Sequence, residues 1–467
     1  MQNHSANGEG RKRPNILILY SDQLRADALS CAGNPCIKTP NIDRLAYEGV
    51  RFENAFVSFP LCSPFRASLL TGKYAHSNGQ FANHFPVPCD QTFLAEILRD
   101  NGYRNGYIGK WHLDGGDKPG FVPPGERRLG FEHFVGFNRG HFYDKSIYYR
   151  DTDEPIHCSR HEPDFQTDHL LQFMGGSLRQ TDGRPFFAMI CYGPPHGPQT
   201  APEHYLELYS PDELPMRSNV EGDDGTINEW REWMARYYGL IANVDYNVGR
   251  VLGWLDKAGI ADDTIVIFLS DHGEMGGEHG LRGKKVPYDA SMRVPLLVRY
   301  PSGVQPSRVV SQMVDASVDT MSTILDLCGL PIPEDTQGTS YMSLLNGEDA
   351  PTRKEVYYEV MMQKEGPEKF PVPERGVRTL EWLYVRTPQG PKMLFDLVND
   401  PLEMKNLVDD PTYQGIREEL DGLLCDHMKR TGDNWEIEAV FPPPNFQTHQ
   451  DGAETARLLI EKAIIEA

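Results

Sequence analysis

The sequence predicts an α/β protein, with a large unit on a central, mostly parallel sheet flanked by helices and a smaller C-terminal α+β unit carrying a short antiparallel sheet. Three observations carry this expectation. Short apolar or β-branched runs alternate with helical stretches through most of the chain, that alternation changes after about residue 345, and 467 residues exceed what one core organises. The 43 glycines and 36 prolines, about 17% of the chain against an ordinary ~12%, add a loop-rich scaffold.

In chain order, the polar segment 1–13 reads as a flexible arm. The runs at 16–20, 103–108, 186–192, 264–269 and 296–300 read as buried parallel strands, because a strand covered on both faces is apolar throughout. Helix candidates lie between them, near 41–48, 64–71, 92–101, 166–179, 228–257 and 318–327. These elements make one large unit over 14–345, with ligands expected at the C-terminal strand ends. Over 346–467 the segments 355–361, 375–386 and 392–397 read as antiparallel strands, followed by a helix at 413–429 and a charged tail, helical from 453.

Lys plus Arg number 46 and Asp plus Glu 67, a net charge of −21 that excludes a nucleic-acid-coating surface and an anionic-membrane anchor. An anionic substrate therefore needs a local basic site. No window approaches the ~20 apolar residues that span a bilayer, and the first apolar run is too short for a signal-peptide core. As written the chain reads as cytoplasmic, with a periplasmic or secreted location if a signal peptide has been trimmed. The eight cysteines are scattered without a disulfide framework or zinc spacing, and seven read as ordinary thiols.

The first strand ends in Tyr20-Ser21-Asp22-Gln23 and the strand at 264–269 ends in Ser270-Asp271-His272-Gly273. Two carboxylates converging from neighbouring strands repel unless a cation lies between them, which suggests a metal site; capping of local turns is the alternative. In Pro60-Leu61-Cys62-Ser63-Pro64-Phe65-Arg66, Ser63 reads as the N-cap and Pro64 as the first helical residue. Cys62 then stands at the positive end of a helix closed by Gly72, with Arg66 one turn on and able to reach back. A buried cysteine before an ordinary helix is the alternative.

C-S-P-F-R at 62–66, followed by A-S-L-L-T-G, resembles the C-x-P-x-R maturation signature of the type I sulfatases in the alkaline phosphatase superfamily. G-Y-R-N-G-Y-I-G-K-W-H at 102–112 resembles the second sulfatase signature, and P-P-H-G-P at 194–198 the family's P-P-H segment. S-D-H-G-E-M-G-G-E-H-G-L-R-G-K at 270–284 resembles its metal and lysine segment. Similar stretches run from about 14 to 410. Gln23 departs from the aspartate common in the family, His272 stands where asparagine is frequent, and Phe65 is bulkier than usual.

The resemblance implies an alkaline phosphatase-like fold and a sulfuric ester hydrolase acting on a sulfated carbohydrate or a small aryl or alkyl sulfate. It implies a maturation enzyme that converts Cys62 to formylglycine, whose hydrate attacks sulfur and later releases sulfate. Asp22, Gln23, Asp271 and His272, with the residue at 62, would bind the cation, with calcium expected and manganese or magnesium as alternatives. Arg66 would hold the formylglycine, and Lys110 and Lys284 would neutralise sulfate oxygens. His112 would assist deprotonation, and His196 would protonate the leaving alcohol. Asn83, His84, Arg139, His141, His161 and Arg282 fall in loops expected to rim the pocket, and Glu278 and His279 read as structural. Gln23 and His272 keep a phosphonate monoester or phosphodiester hydrolase open as a second reading, and a binding protein that has lost catalysis is a third.

Overall fold

The computed structural model describes residues 13–83, 85–116, 118–348, 353–363 and 372–435. The arm over 1–12, His84 and the tail helix from 453 lie outside the described residues. Strands β1 (Asn15–Asp22), β2 (Val50–Phe56), β3 (Arg104–Lys110) and β4 (His133–Phe137) precede a small ribbon of β5 (Ile147–Tyr148) and β6 (Ile156–His157). Strands β7 (Phe186–Pro195), β8 (Thr264–Ser270), β9 (Leu296–Arg299) and β10 (Arg308–Asp315) follow. Ribbon apart, they form one eight-stranded sheet in the order β10-β2-β9-β8-β1-β7-β3-β4.

From β8 to β4 the strands are parallel, as are β10 and β2. Strand β9 is antiparallel to both of its neighbours, which corrects the expectation of a parallel strand at 296–300. All four of its residues are buried, and an apolar run encodes burial, not direction. Leu296 pairs with Leu269 at the end of β8, so the connection over 271–295 returns to the same end of the sheet, which an antiparallel neighbour permits. Edge strand β10 leaves Ser311 and Gln312 exposed, which hides its strand character from an apolar-run reading.

Among the described residues, the helices of seven or more residues are α1 (Pro40–Glu48), α2 (Cys62–Thr71), α3 (Leu94–Asp100), α4 (Glu162–Leu178), α5 (Asp224–Ala258), α6 (Asp319–Leu327) and α7 (Gln414–Thr431). Alternate strand residues divide between the two faces. Ile16, Ile18, Ile265 and Ile267 pack against Phe65 and Leu69 of α2, Leu94 of α3 and Ile324 of α6. Leu17, Leu19, Val266 and Phe268 pack against Leu45 of α1, Leu170 of α4 and Ile241 and Val248 of α5. Each such side chain contributes roughly 1.5–3 kcal/mol by leaving water, so both helical layers are anchored to the sheet.

A second sheet is an antiparallel meander of β11 (Val356–Gln363), β12 (Val372–Arg378), β13 (Trp382–Thr387) and β14 (Gly390–Asp396). The single strand expected at 375–386 is two strands folded about Thr379, Leu380 and Glu381, a turn without glycine or proline to announce it. One face, through Tyr358, Leu383 and Val385, covers Phe56, Phe59 and Leu61 on the segment that feeds α2. The other, through Tyr357, Val377 and Tyr384, takes Leu420 and Leu424 of α7. Among the described residues, no helix is long and apolar enough to cross a membrane.

Candidate active site

Five parallel strands end side by side, so the residues that follow them share one edge of the sheet. Asp22 closes β1, Lys110 closes β3, Asp271 follows β8, His196 follows β7, and His141 lies in the loop after β4. The β1–β7 register slips between Ser21 and Asp22, and Gln23 takes a left-handed φ of 72°. Two bonds hold that turn: the Gln23 amide donates to Asp271 Oδ1 at 3.0 Å, and the Tyr237 hydroxyl on α5 donates to the Gln23 carbonyl at 2.7 Å.

Helix α2 starts two residues earlier than expected, with Cys62 itself as its first residue and Leu61 extended before it. Ser63 is therefore inside the helix and caps nothing. Its hydroxyl lacks a partner, while its amide donates to Asn83 Oδ1 at 3.1 Å. Gly72 closes the helix as expected, at φ 66° with its amide on the Ser68 carbonyl.

Asp22, Asp271 and His272 are fully buried, and Cys62, Lys110 and Arg66 are at most 2% exposed. Cys62 Sγ lies 3.6 Å from Asp22 Oδ1 and 3.3 Å from His272 Nε2. Arg66 Nη2 reaches Asp22 Oδ2 at 3.1 Å, Cys191 Sγ at 3.2 Å and Asp271 Oδ2 at 3.3 Å, and its Nη1 donates to the Lys110 carbonyl. Arg66 thus serves the two carboxylates and the Cys191 thiol instead of reaching back to Cys62, the carboxylates holding it by charge-assisted bonds. Lys110 Nζ donates to Asp22 Oδ2 at 2.7 Å and to His141 Nε2 at 2.9 Å. Lys284 Nζ donates to Gln23 Oε1 at 2.6 Å, and Gln23 Nε2 is bonded to Glu274.

Burial opposes the charge on Asp22, yet Lys110 and the neighbouring histidines hold its carboxyl well below the usual range. Burial and Asp22 likewise oppose ionisation of Cys62, but Lys110 and Lys284 bring the thiol below its ordinary value. Burial, then Lys110 and Arg66, push His112 well below 6.5, so it is a neutral imidazole. Its backbone takes a left-handed φ of 60°, just past the end of β3 at Lys110.

His196 follows a different course. Its Nδ1 sits 2.7 Å from the Gly197 carbonyl, and its ring stacks on His141 with centroids 3.7 Å apart and planes at 5°. Burial, then Lys284, keep it well below 6.5. His141, expected only at the rim, is therefore inside the site, as is Cys191, whose thiol burial pushes up to about 12. Both come from segments that carry no motif of their own. The remaining rim candidates stay peripheral: Arg139 donates to the Gly116 carbonyl at 3.3 Å, His161 Nδ1 meets Asp144 at 2.9 Å, and Arg282 lies 4.4 Å over the Trp230 ring. Glu278 pairs with Arg25, and His279 stacks on Tyr288 at 4.2 Å, both holding the loop after the carboxylate segment.

Residues 14–330 match the family described as Sulfatase. The chain belongs to the sulfatase family. Residues 277–430 of this sulfatase also match the family described as N-sulphoglucosamine sulphohydrolase, C-terminal. It is 35% identical over 437 residues to an ulvan-active sulfatase of Formosa agariphila, covering 92% of this chain and 84% of that one. A solved structure of a protein in complex with its substrate D-glucosamine-2-N,6-O-disulfate superposes with a TM-score of 0.82 at 26% identity, covering 91% of this chain and 100% of that chain. A phosphonate monoester hydrolase from Silicibacter pomeroyi superposes at 0.76 and 26%, covering 91% and 96%.

The sulfatase is a sulfuric ester hydrolase, and its family implies a metal ion and a formylglycine. The residues fit a divalent cation. Asp22, Cys62, Asp271 and His272 each offer a donor atom, all within 4.8 Å of one another, and buried carboxylate oxygens beside one imidazole are hard-cation ligands.

Proposed function

We propose that this sulfatase cleaves a sulfate monoester from a sulfated carbohydrate, using a formylglycine made from Cys62 by a maturation enzyme and a calcium ion held by Asp22, Gln23, Asp271 and His272. The observation that carries the reading is the convergence of Lys110, Lys284, His112 and His196 on the edge where Cys62 and the two carboxylates meet. The modified residue supplies a hydrated aldehyde as nucleophile, and the cation supplies Lewis-acid polarisation.

The chain's own residues do the rest. Lys110 and Lys284 neutralise the sulfuryl oxygens, where fixed cations in a dry site act far more strongly than in water. His112, neutral beside Lys110, accepts the nucleophile's proton. An ester anion offsets Lys284 and Lys110, restoring the capacity of His196 to hold a proton for the departing alcohol. Arg66 fixes Asp22 and Asp271 behind residue 62. The sugar preference draws its support from the relatives, whose names specify ulvan and a sulfated glucosamine.

The Silicibacter neighbour and the pair Gln23 and His272 favour a second reading, phosphonate monoester or phosphodiester hydrolysis. Matched nitrophenyl sulfate and nitrophenyl phosphonate, followed by a panel of sulfated oligosaccharides, separate the two. A kcat/KM higher on the phosphonate overturns the sulfate reading. Release of inorganic sulfate from a saccharide, with formylglycine at 62 in the peptide mass, upholds it.

A further inference from the structure

Asp22 offers its two oxygens to two different groups of side chains. Oδ1 lies 3.6 Å from both Cys62 Sγ and His272 Nε2, on the side of Asp271. Oδ2 takes the cations, 2.7 Å from Lys110 Nζ and 3.1 Å from Arg66 Nη2, and lies 3.8 Å from His141 Nε2. Asp22, His141 and His196 place one donor atom each within 4.8 Å of one another, a set separate from the four donors of the calcium site except for the shared aspartate.

We infer that Asp22, His141 and His196 form a second metal site of the zinc class, closed in the resting enzyme by the Lys110 ammonium, and that an ion entering it inhibits turnover by displacing that lysine. The tautomers support it. An ammonium has only donors, so His141 Nε2 and Asp22 Oδ2, both within hydrogen-bond reach of Lys110 Nζ, must accept from it with their lone pairs. A cation already occupies the place between two of the three donors. His196 Nδ1 donates to the Gly197 carbonyl at 2.7 Å, which leaves its Nε2 bare, the outer-shell arrangement that orients metal-binding histidines. The parallel stack brings the two imidazoles to one side of Asp22, and the buried His141 Nδ1 has no partner to resist a turn of that ring.

Two imidazoles and one carboxylate select zinc, cobalt or nickel over calcium or magnesium. A carboxylate with one oxygen on each side is also the bridge that two-metal centres use at separations of about 3.5–4 Å. An ion bound there takes His196 and the position of Lys110 together, so it competes with the ester. This inference rests on the arrangement of donors and holds whichever ester the enzyme cleaves.

The test uses mature enzyme kept in excess calcium and titrated with Co2+ and then Zn2+. The expected result is one further equivalent of Co2+ with the visible bands of imidazole ligation, displaced by Zn2+, and Zn2+ inhibition that is competitive with substrate. His141→Gln should weaken that equivalent by more than about tenfold, the scale at which even outer-shell changes act. Lys110→Met should tighten it, because the competing ammonium is gone. His272→Gln, which alters only the other site, should leave the bands in place. A single equivalent without added bands, bands that survive His141→Gln, or weaker binding in Lys110→Met would each overturn the assignment.

Discussion

At residue 62 a buried side chain lies among two carboxylates and several cations, and replacing it separates chemistry from folding. Cys62→Ala removes one sulfur atom at a cost of about 1 kcal/mol, so the melting temperature should fall by only a few degrees while turnover of nitrophenyl sulfate disappears. Retained turnover would refute the role given to this residue. Glu162, at the start of α4, tests the electrostatics differently. Burial lifts its carboxyl from 4.5 to about 7, so between those values the folded chain holds a proton that the unfolded chain has lost. Stability therefore declines as pH rises through that window and stays lower above it. Glu162→Gln should raise the melting temperature at pH 8 and change it little at pH 4, as thermal scans at both values would register. Most of the site was legible residue by residue, because Asp22, Cys62, Arg66, Lys110, Asp271 and Lys284 stand in recognisable strings. His141 and Cys191 were not, since only the lateral order β1-β7-β3-β4 brings them to Lys110 and Arg66.

Strands announced themselves when they formed long apolar runs and helices by their apolar spacing, whereas short or mixed strands did not stand out. Strand β2 mixes Arg51, Glu53 and Asn54 into its run and went unseen, while β9 was seen but given the wrong direction. Position along an element also decides what a glycine tolerates. Gly109 in β3 has φ 112°, and a Cβ there would stand 2.4 Å from the Cys191 carbonyl oxygen of β7. Gly109→Ala must part those strands beside Lys110, so a loss of roughly 1–3 kcal/mol and a larger loss of kcat are expected. Gly253, inside α5, meets nothing within 4 Å. Gly253→Ala should stabilise by about 0.5–1 kcal/mol with kcat unchanged, and a melting curve of each protein beside its steady-state rate checks the contrast.

Across the whole molecule, a net charge of −21 surrounds a site that holds Arg66, Lys110 and Lys284. The shell repels an anionic ester that the pocket attracts. Raising salt from low values to about 0.15 M, where charges beyond ~8 Å are screened, should hold or increase kcat/KM on a sulfated substrate. A steep fall would mean that capture relies on surface cations. Chelation probes the same balance from inside: EDTA should lower the melting temperature and added calcium restore it, by about 2.7 kcal/mol at a hundredfold excess over Kd.

The depth of residue 62 also sets a schedule. With 1% of its surface exposed, on a helix covered by the sheet's core and backed by the C-terminal meander, Cys62 is beyond the reach of another protein once the chain has folded. Its aspartate neighbours come from opposite ends of the large unit, at 22 and 271, so the enclosure closes only after the ribosome has passed the second of them. Under the proposed conversion to formylglycine, the interval for that chemistry is the time between synthesis of the α2 segment and arrival of β8, and a chain that folds with its thiol intact has missed it.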